Sequence, residues 1–490
     1  MYIRSMAAAV QTNAGTSTAQ RRDTRILLWL IVVAAAFLRL WALNAKSFWL
    51  DEIASVVIAR MPGSSFWRWL WTEEGNMALY YAMLRPWLEI HLAEGTVRLL
   101  SVLPGIASVP LMYLLGSRLF GRNVGLPSAL FLAFSTCAVV YSQEARGYSW
   151  LLLGTLLSSY LFVHLIERPS FGMALVYSLA AGATFYLHYF GLLVPVAQAV
   201  SLVALPRQRR PWKQLFAAGA LIVLLALPVL WMIHIQPVRH LDWVEPPSLL
   251  EFYHLGVFLA AESGKGVGPV LLVLELVLVA VFFREMLSTR RDPAKKDLWP
   301  YALLASGLFT PIFVSLLASI VRPVFFHRFL IICLPSWLLA CAVGAMALRD
   351  VRLRLWSIVG VCVLSLVGVM MSYSRIREDW RGVANYLIDN ARARDVVLYY
   401  RGVGSFATES YRNWLPGGNV NRPRAVEVIP GSEKWRDEIS GAQRVWLVEY
   451  PANLDDVMMR TLEAELHSRY SAVASSSFRA VTVTEFELRK

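Results

Sequence analysis

Charge is what this 490-residue chain has little of. Asp, Glu, Lys and Arg make up only 17% of it, against 57% apolar and 12% aromatic residues. Soluble domains carry nearer about 25% charged residues, so an ordinary cytosolic protein is excluded, as are a disordered chain and a collagen-like fibre. Cysteine is scarce too: Cys137, Cys333, Cys341 and Cys362 all fall inside apolar runs. With none in a loop, neither a disulfide framework nor a thiolate metal site is expected. No G-x-x-x-x-G-K-[ST] occurs, which argues against an ATP-driven transporter. The glycine pair in Arg401-Gly402-Val403-Gly404 is a weak phosphate signal, and Asp455-Asp456 lacks the spacer of a nucleotide-sugar Asp-x-Asp motif. There is no internal repeat.

What the chain has is long apolar runs. At about 20 residues per membrane crossing, they give about eleven spans, near 25–43, 97–115, 124–141, 148–166, 171–187, 190–205, 215–235, 267–283, 299–320, 325–348 and 356–373. A net charge of +13 would suggest nucleic acid in a soluble protein. In a membrane protein the placement of Lys and Arg sets orientation instead. The basic connections carry Arg118 and Arg122, Arg168, Arg207 to Lys213, Arg290 to Lys296, and Arg349 to Arg354. They are expected in the cytoplasm with the N-terminus, and an odd number of spans puts the C-terminal part on the outer face of the plasma (inner) membrane.

The expected fold is mainly α. Residues 1–24 read as a disordered cytosolic tail, 25–373 as a polytopic membrane bundle and 374–490 as a small outer-face α/β domain. The segment from Ile26 is too long for a signal peptide and reads as an anchor. The first outer loop, 44–96, contains Phe48-Trp49, Phe66-Trp67-Arg68-Trp69 and Trp71, and reads as helices lying in the interface. In the C-terminal part a helix is expected over Asp379–Arg392, another near 454–467, and strands over Val396–Tyr400, Ala425–Ile429, Arg444–Glu449 and Ala480–Leu488.

The strongest local signal is Ser47-Phe48-Trp49-Leu50-Asp51-Glu52, two adjacent carboxylates among aromatics just beyond the first span. Burial raises a carboxylate pKa, and that makes a better base. An ordinary helix N-terminus, with the two acids favouring its dipole, explains the residues equally well.

The stretch from Arg39 to Asp51-Glu52 resembles the first outer loop of polyprenyl-phosphate-dependent glycosyltransferases. These include the protein O-mannosyltransferases, the lipid A aminoarabinose transferases and bacterial relatives of glycosyltransferase family 39. Leu79-Tyr80-Tyr81 with Leu84, Arg98-Leu99-Leu100-Ser101 and Tyr141-Ser142-Gln143-Glu144-Ala145-Arg146 resemble the same family in order and spacing. The chain departs from the pattern at Asn76-Met77-Ala78, where many relatives have a His-Pro-Pro-like element. The resemblance implies a GT-C fold over the membrane part, a hexosyl or pentosyl donor on polyprenyl phosphate, and inverting transfer to an acceptor hydroxyl. It also implies Asp51 as general base, with Glu52 supporting it or orienting the acceptor. The absence of Trp-Trp-Asp-Tyr-Gly argues against an oligosaccharyltransferase.

A leaving phosphate needs cations, and Arg supplies a planar fork. Arg146, Arg328 and Arg322 stand at expected outer ends of spans, and His327-Arg328-Phe329 with Leu334-Pro335 resembles an Arg-Tyr-Leu…Pro element of the family. Snorkelling to lipid headgroups and, for Arg146, an ion pair with Glu144 are the competing readings. Arg39, inside the first span, is expected to face the bundle interior and meet either a loop carboxylate or substrate. His188 beside Tyr189 could touch donor phosphate, although capping or packing is the commoner role. His327 and Arg328 are expected to share one cavity with Asp51.

His234, His240 and His254 surround Asp242 and Glu245 without zinc-like spacing. No tightly bound metal or other cofactor is expected, only a loosely held divalent cation at most. The partners expected are the lipid-linked donor, a lipid, glycan or protein acceptor, and membrane lipids, but no nucleic acid. A lipid or polysaccharide flippase and a non-catalytic membrane scaffold are the alternatives.

Overall fold

The computed structural model describes residues 22–236, 242–263, 265–291, 297–375, 377–400, 403–429, 432–450 and 457–489. Most of the tail expected at 1–24, His240, Lys295-Lys296, Arg401-Gly402 and Asp455-Asp456 lie outside the described residues. The chain packs as two units. The first comprises the described residues of 1–41 with 62–84 and 98–373; the second comprises 42–61, 85–97 and 374–490.

The first unit is helical. Among the described residues, six helices are long and apolar enough to cross a membrane: Glu94–Phe120, Tyr148–Glu167, Trp212–Ile235, Trp299–Val321, His327–Ala347 and Val351–Ser374. The pair Arg122–Phe134 and Thr136–Ser142, bent by 54°, makes a seventh if counted as one span. The remaining expected runs are helical but shorter or more charged, as in Phe171–Leu187, Tyr189–Ala204 and Gly268–Arg291, the last carrying Glu275, Arg284 and Glu285. Helix Trp212–Ile235 exposes Phe216, Val223, Leu224, Leu227 and Trp231. So large an apolar surface is stable in hydrocarbon and not in water. Helix His327–Ala347 is the reverse, 89% buried over its most apolar window. Inside the unit Glu275 is buried and accepts a hydrogen bond from Trp337 Nε1 at 2.6 Å, tying helix Gly268–Arg291 to this central helix.

The second unit is built on a five-stranded sheet. Its strands are β1 (Val396–Tyr400), β2 (Arg424–Val428), β3 (Arg444–Glu449), β4 (Tyr470–Phe478) and β5 (Val481–Leu488), in the order β2-β1-β3-β5-β4. The first three are parallel and β5 runs antiparallel to β3 and β4. All five residues of β1 are buried because both faces are covered. Val396, Leu398 and Tyr400 share a core with Trp435, Ile439, Leu462 and Leu466, from helices Lys434–Ile439 and Val457–Arg469. On the other face Trp446 meets Tyr386, on helix Trp380–Asn390. The expected strands lie within a residue of the observed ones, and Asp379 is the N-cap of Trp380–Asn390, its carboxylate accepting from Gly382 N at 3.0 Å. β4 and helices Val403–Trp414 and Lys434–Ile439 were not anticipated.

Glu449 closes β3 beside Glu463. Burial, and then the neighbouring carboxylate, push its carboxyl up from 4.5 to about 7. A folded-state pKa above the unfolded value means that the folded unit binds the proton more tightly. The associated stability is full below about pH 4.5 and is lost as pH rises through about 7. The thermal midpoint of this unit, followed by tryptophan fluorescence in nanodiscs, is expected to fall between about pH 5 and pH 8. Glu449→Gln should flatten that dependence, and an unchanged slope in this variant would refute the assignment.

Candidate active site

Three breaks in apolar helices shape the polar interior of the first unit. The first separates Arg122–Phe134 from Thr136–Ser142 at Ser135, whose hydroxyl accepts from Ala138 N at 3.3 Å. The second is at His188, in extended conformation between Phe171–Leu187 and the 3₁₀ turn Tyr189–Leu192. That turn folds back so closely that a Cβ on Gly191 would lie 2.1 Å from the Thr184 carbonyl oxygen, so only glycine fits. The third is the 3₁₀ segment His327–Cys333, leading into helix Leu334–Ala347. Pro335 has no N–H to donate to the Ile331 carbonyl, so the regular helix cannot extend backwards unchanged.

The motif residues converge around the turn after Ser142. Arg146 Nη1 donates to Tyr81 Oη at 3.4 Å, its carbonyl accepts from Ser101 Oγ at 3.0 Å, and Ser101 Oγ lies 3.4 Å from Tyr80 Oη. The Leu79-Tyr80-Tyr81, Arg98 to Ser101 and Tyr141 to Arg146 stretches are thus one cluster. The Arg146 guanidinium stands 6.0 Å from the Tyr148 ring centroid, and that ring is 5.9 Å from His188. His188 is wedged against Phe329 (5.1 Å) and Phe190 (5.7 Å). Its Nδ1 accepts from Phe190 N at 3.2 Å, which makes Nε2 the protonated nitrogen of the neutral ring. Nε2 is buried and has no hydrogen-bond partner among the described residues.

Arg328, Glu144 and Glu262 lie within electrostatic reach of the buried Tyr141 hydroxyl. His327 is 3.8 Å from Glu251, which also meets His254 at 2.9 Å, and the His327 ring contacts Phe258. Tyr189 is held from both sides. Its N–H donates to Asn76 Oδ1 at 3.0 Å and its hydroxyl to Gln236 Oε1 at 2.7 Å, while Gln236 Nε2 donates to the Leu70 and Trp71 carbonyls. Among the described residues no group of three His, Cys, Asp or Glu side chains converges as a metal-ligand set.

Arg146, Glu144, His188, Tyr189, His327 and Arg328 therefore all belong to the first unit. Arg39 does too, but its buried guanidinium donates to the carbonyls of Ala35 (3.2 Å), Ala133 (3.0 Å) and Leu132 (3.1 Å). It caps the helix end exposed by the break at Ser135. Asp51 and Glu52 belong to the second unit, on the first turn of helix Leu50–Arg60. Glu52 is fully buried and its carboxylate accepts from Trp49 N at 3.3 Å, tying the N-cap to the first turn; Asp51 is half-buried. Glu251, Glu262, Asn76 and Gln236 were not singled out from sequence as site residues. The family departure at Asn76 was the one available signal among them.

Residues 79–232 match the family model described as dolichyl-phosphate-mannose-protein mannosyltransferase. The fold is similar to that of ArnT from Cupriavidus metallidurans in the apo state, with a TM-score of 0.58 at 12% identity, covering 93% of this chain and 97% of that one. The chain has a GT-C-type fold. The GT-C likeness extends to the crystal structure of the same ArnT bound to undecaprenyl phosphate, with a TM-score of 0.54 at 12% identity over 93% and 97% of the two chains. The oligosaccharyltransferase of Archaeoglobus fulgidus, in complex with zinc and sulfate, is also similar, with a TM-score of 0.51 at 10% identity over 94% of this chain and 72% of that one. No curated protein sequence matches this chain.

Arg39 provides a test of structural against substrate-binding use. Replacing it with Met leaves the Leu132 and Ala133 carbonyls without their cap, at about 1–3 kcal/mol each. The thermal midpoint should fall clearly, while the specific activity of the folded fraction stays within about twofold. A folded, stable and inactive Arg39→Met would place Arg39 on the substrate instead.

Proposed function

We propose that this chain transfers a sugar from a polyprenyl-phosphate donor to an acceptor hydroxyl with inversion, and that Asp51 is the general base. The observation that carries the reading is the convergence of three family-like motif stretches on Arg146, together with Arg328, Glu144 and Glu262 around the buried Tyr141 hydroxyl. Half-buried cations beside aromatic rings suit an anionic group brought in from the membrane. ArnT, of similar fold, binds undecaprenyl phosphate, and that ligand class is carried over here.

In this reading the acceptor oxygen attacks the anomeric carbon as Asp51 takes its proton, and the bond to the phosphate oxygen breaks. Arg328 and Arg146 neutralise the charge that gathers on the departing phosphate, each through a planar guanidinium. His188 donates its Nε2–H to a phosphate oxygen, and His327 lines the same cluster. Glu52 supports the base through its bond to Trp49 N, which orders the first turn. Tyr189 holds the turn that presents His188. The catalyst needs no tightly bound metal, because the cations are side chains. The chain is read as crossing the plasma membrane about eleven times, with its N-terminus and basic loops in the cytoplasm and transfer on the outer face. The acceptor is a lipid, glycan or protein hydroxyl.

Purified protein in nanodiscs, given a panel of polyprenyl-phosphate sugars, should release polyprenyl phosphate. Asp51→Asn should express normally and lose about 10²–10⁴ in rate. Arg328→Lys keeps the charge and loses the fork, so turnover should fall on the order of 10-fold without vanishing. Near-normal turnover by Asp51→Asn would remove Asp51 from the base role, and an unaffected Arg328→Lys would remove Arg328 from phosphate recognition.

A further inference from the structure

The segment that leads into helix Leu50–Arg60 is gripped by the C-terminal part of the second unit. Ser47 Oγ donates to the Glu378 carbonyl at 2.9 Å, and the Glu378 carboxylate in turn accepts from Tyr450 Oη, just past β3, at 2.5 Å. Phe48 N donates to Tyr411 Oη at 2.6 Å. The Phe48 side chain is 2% exposed and packs on the rings of Tyr411 (6.2 Å) and Trp414 (6.3 Å). The Arg377 guanidinium lies 5.2 Å from the Trp49 ring centroid. Upstream, Asn44 Oδ1 accepts from Gly95 N at 2.6 Å.

Tyr411 is the hub of this grip. Besides accepting from Phe48 N, its hydroxyl donates to Glu94 Oε1 at 3.0 Å, and the same carboxylate takes Arg381 Nη1 at 3.2 Å. One phenol thus joins helix Val403–Trp414, the start of helix Glu94–Phe120, helix Trp380–Asn390 and the 47–49 segment. Burial, and then the Glu94 charge, raise the Tyr411 hydroxyl above its ordinary range, so it stays a neutral donor at any physiological pH. The Phe48 N–H is buried, and without Oη it would lose its acceptor, a cost that falls on the backbone three residues before Asp51. Where residues 47–49 go, the first turn with Asp51 follows, because the Glu52 carboxylate accepts from Trp49 N and the Trp49 carbonyl accepts from Glu52 N at 3.0 Å.

We propose that Tyr411 is a positioning residue for Asp51, and that a task of the C-terminal α/β region is to hold the base-bearing turn rather than to bind donor. This rests on the reading of Asp51 as general base. Angular and positional precision of a base matters steeply: misplacement by about 1 Å can cost about 100-fold in rate.

The test uses the full chain in nanodiscs. Tyr411→Phe keeps the ring contacts and removes one oxygen. Its kcat should fall roughly 10- to 100-fold with the donor KM within about twofold, and amide exchange should accelerate in the peptide covering 44–52 but not in the membrane helices. Tyr470→Phe is the matched control. Its buried hydroxyl donates to the Ile439 and Ala442 carbonyls in the core of the same unit, so that variant should lose thermal stability while the folded fraction keeps wild-type kcat. Normal kcat in Tyr411→Phe beside an inactive Asp51→Asn would overturn this inference and leave the base reading intact. A slow Tyr411→Phe beside a normal Asp51→Asn would overturn the base reading, and with it the positioning claim, while accelerated exchange at 44–52 would still establish the grip. A kcat loss in Tyr411→Phe no larger than that of Tyr470→Phe would also overturn the proposal.

Discussion

In hydrocarbon every backbone N–H and C=O must find a partner within the protein, and each unsatisfied group costs several kcal/mol. The polar interior of the first unit depends on how this constraint is met where helices break. At Ser135 the freed carbonyls of Leu132 and Ala133 go to Arg39, and the Thr136 hydroxyl reaches the Ser365 carbonyl at 3.0 Å. At His188 the Phe190 N–H goes to the imidazole, the Tyr189 N–H to Asn76, and the Gly191 carbonyl accepts from Thr184 Oγ1 at 3.1 Å. At these two breaks side chains cap the freed backbone groups. Each also turns the chain so that polar residues come inward at a depth where a regular apolar helix would offer none. Arg146 follows the first break, His188 is the second, and Arg328 opens the third.

Much of this was legible in sequence. Long apolar runs locate the helices because one composition serves both lipid and bundle core. β1 and β3 stand out because strands covered on both faces read as unbroken apolar runs. β4 was hidden for the opposite reason: Tyr470–Phe478 is Ser-rich and largely exposed, and its pairing to β5 shifts register between Ala472 and Ala474. Candidate residues that lie in one motif, such as Glu144 and Arg146, could be found together. Partners drawn from distant segments could not. Glu262 adopts a left-handed conformation at a helix end, and nothing in Ala261-Glu262-Ser263 signals that it will approach Tyr141.

The first outer loop is the clearest case. By composition 44–96 belongs with the membrane helices, yet only 62–84 packs with the first unit, and its flanks 42–61 and 85–97 pack with residues far along the chain. The deciding contact, Phe48 to Tyr411, spans 363 positions. No periodicity or local motif encodes a link of that length. It arises because a buried backbone N–H needs an acceptor, and a tyrosine supplies one while filling the space around Phe48.

The mixture of charges around Tyr141 follows from the same economy of burial. Half-buried cations among aromatic rings are costly unless something compensates them, and Glu144 and Glu262 lie within reach of the same hydroxyl as Arg328. A site neutralised in this way can stay folded without ligand. To receive an anionic phosphate, as proposed, it would need a donor open to a new partner. His188 Nε2 meets that requirement: it is buried, its tautomer is set by Phe190 N, and it is an N–H without a hydrogen-bond partner among the described residues. In the proposed reading, an uncharged donor would add phosphate recognition without adding another buried charge to the ligand-free cluster.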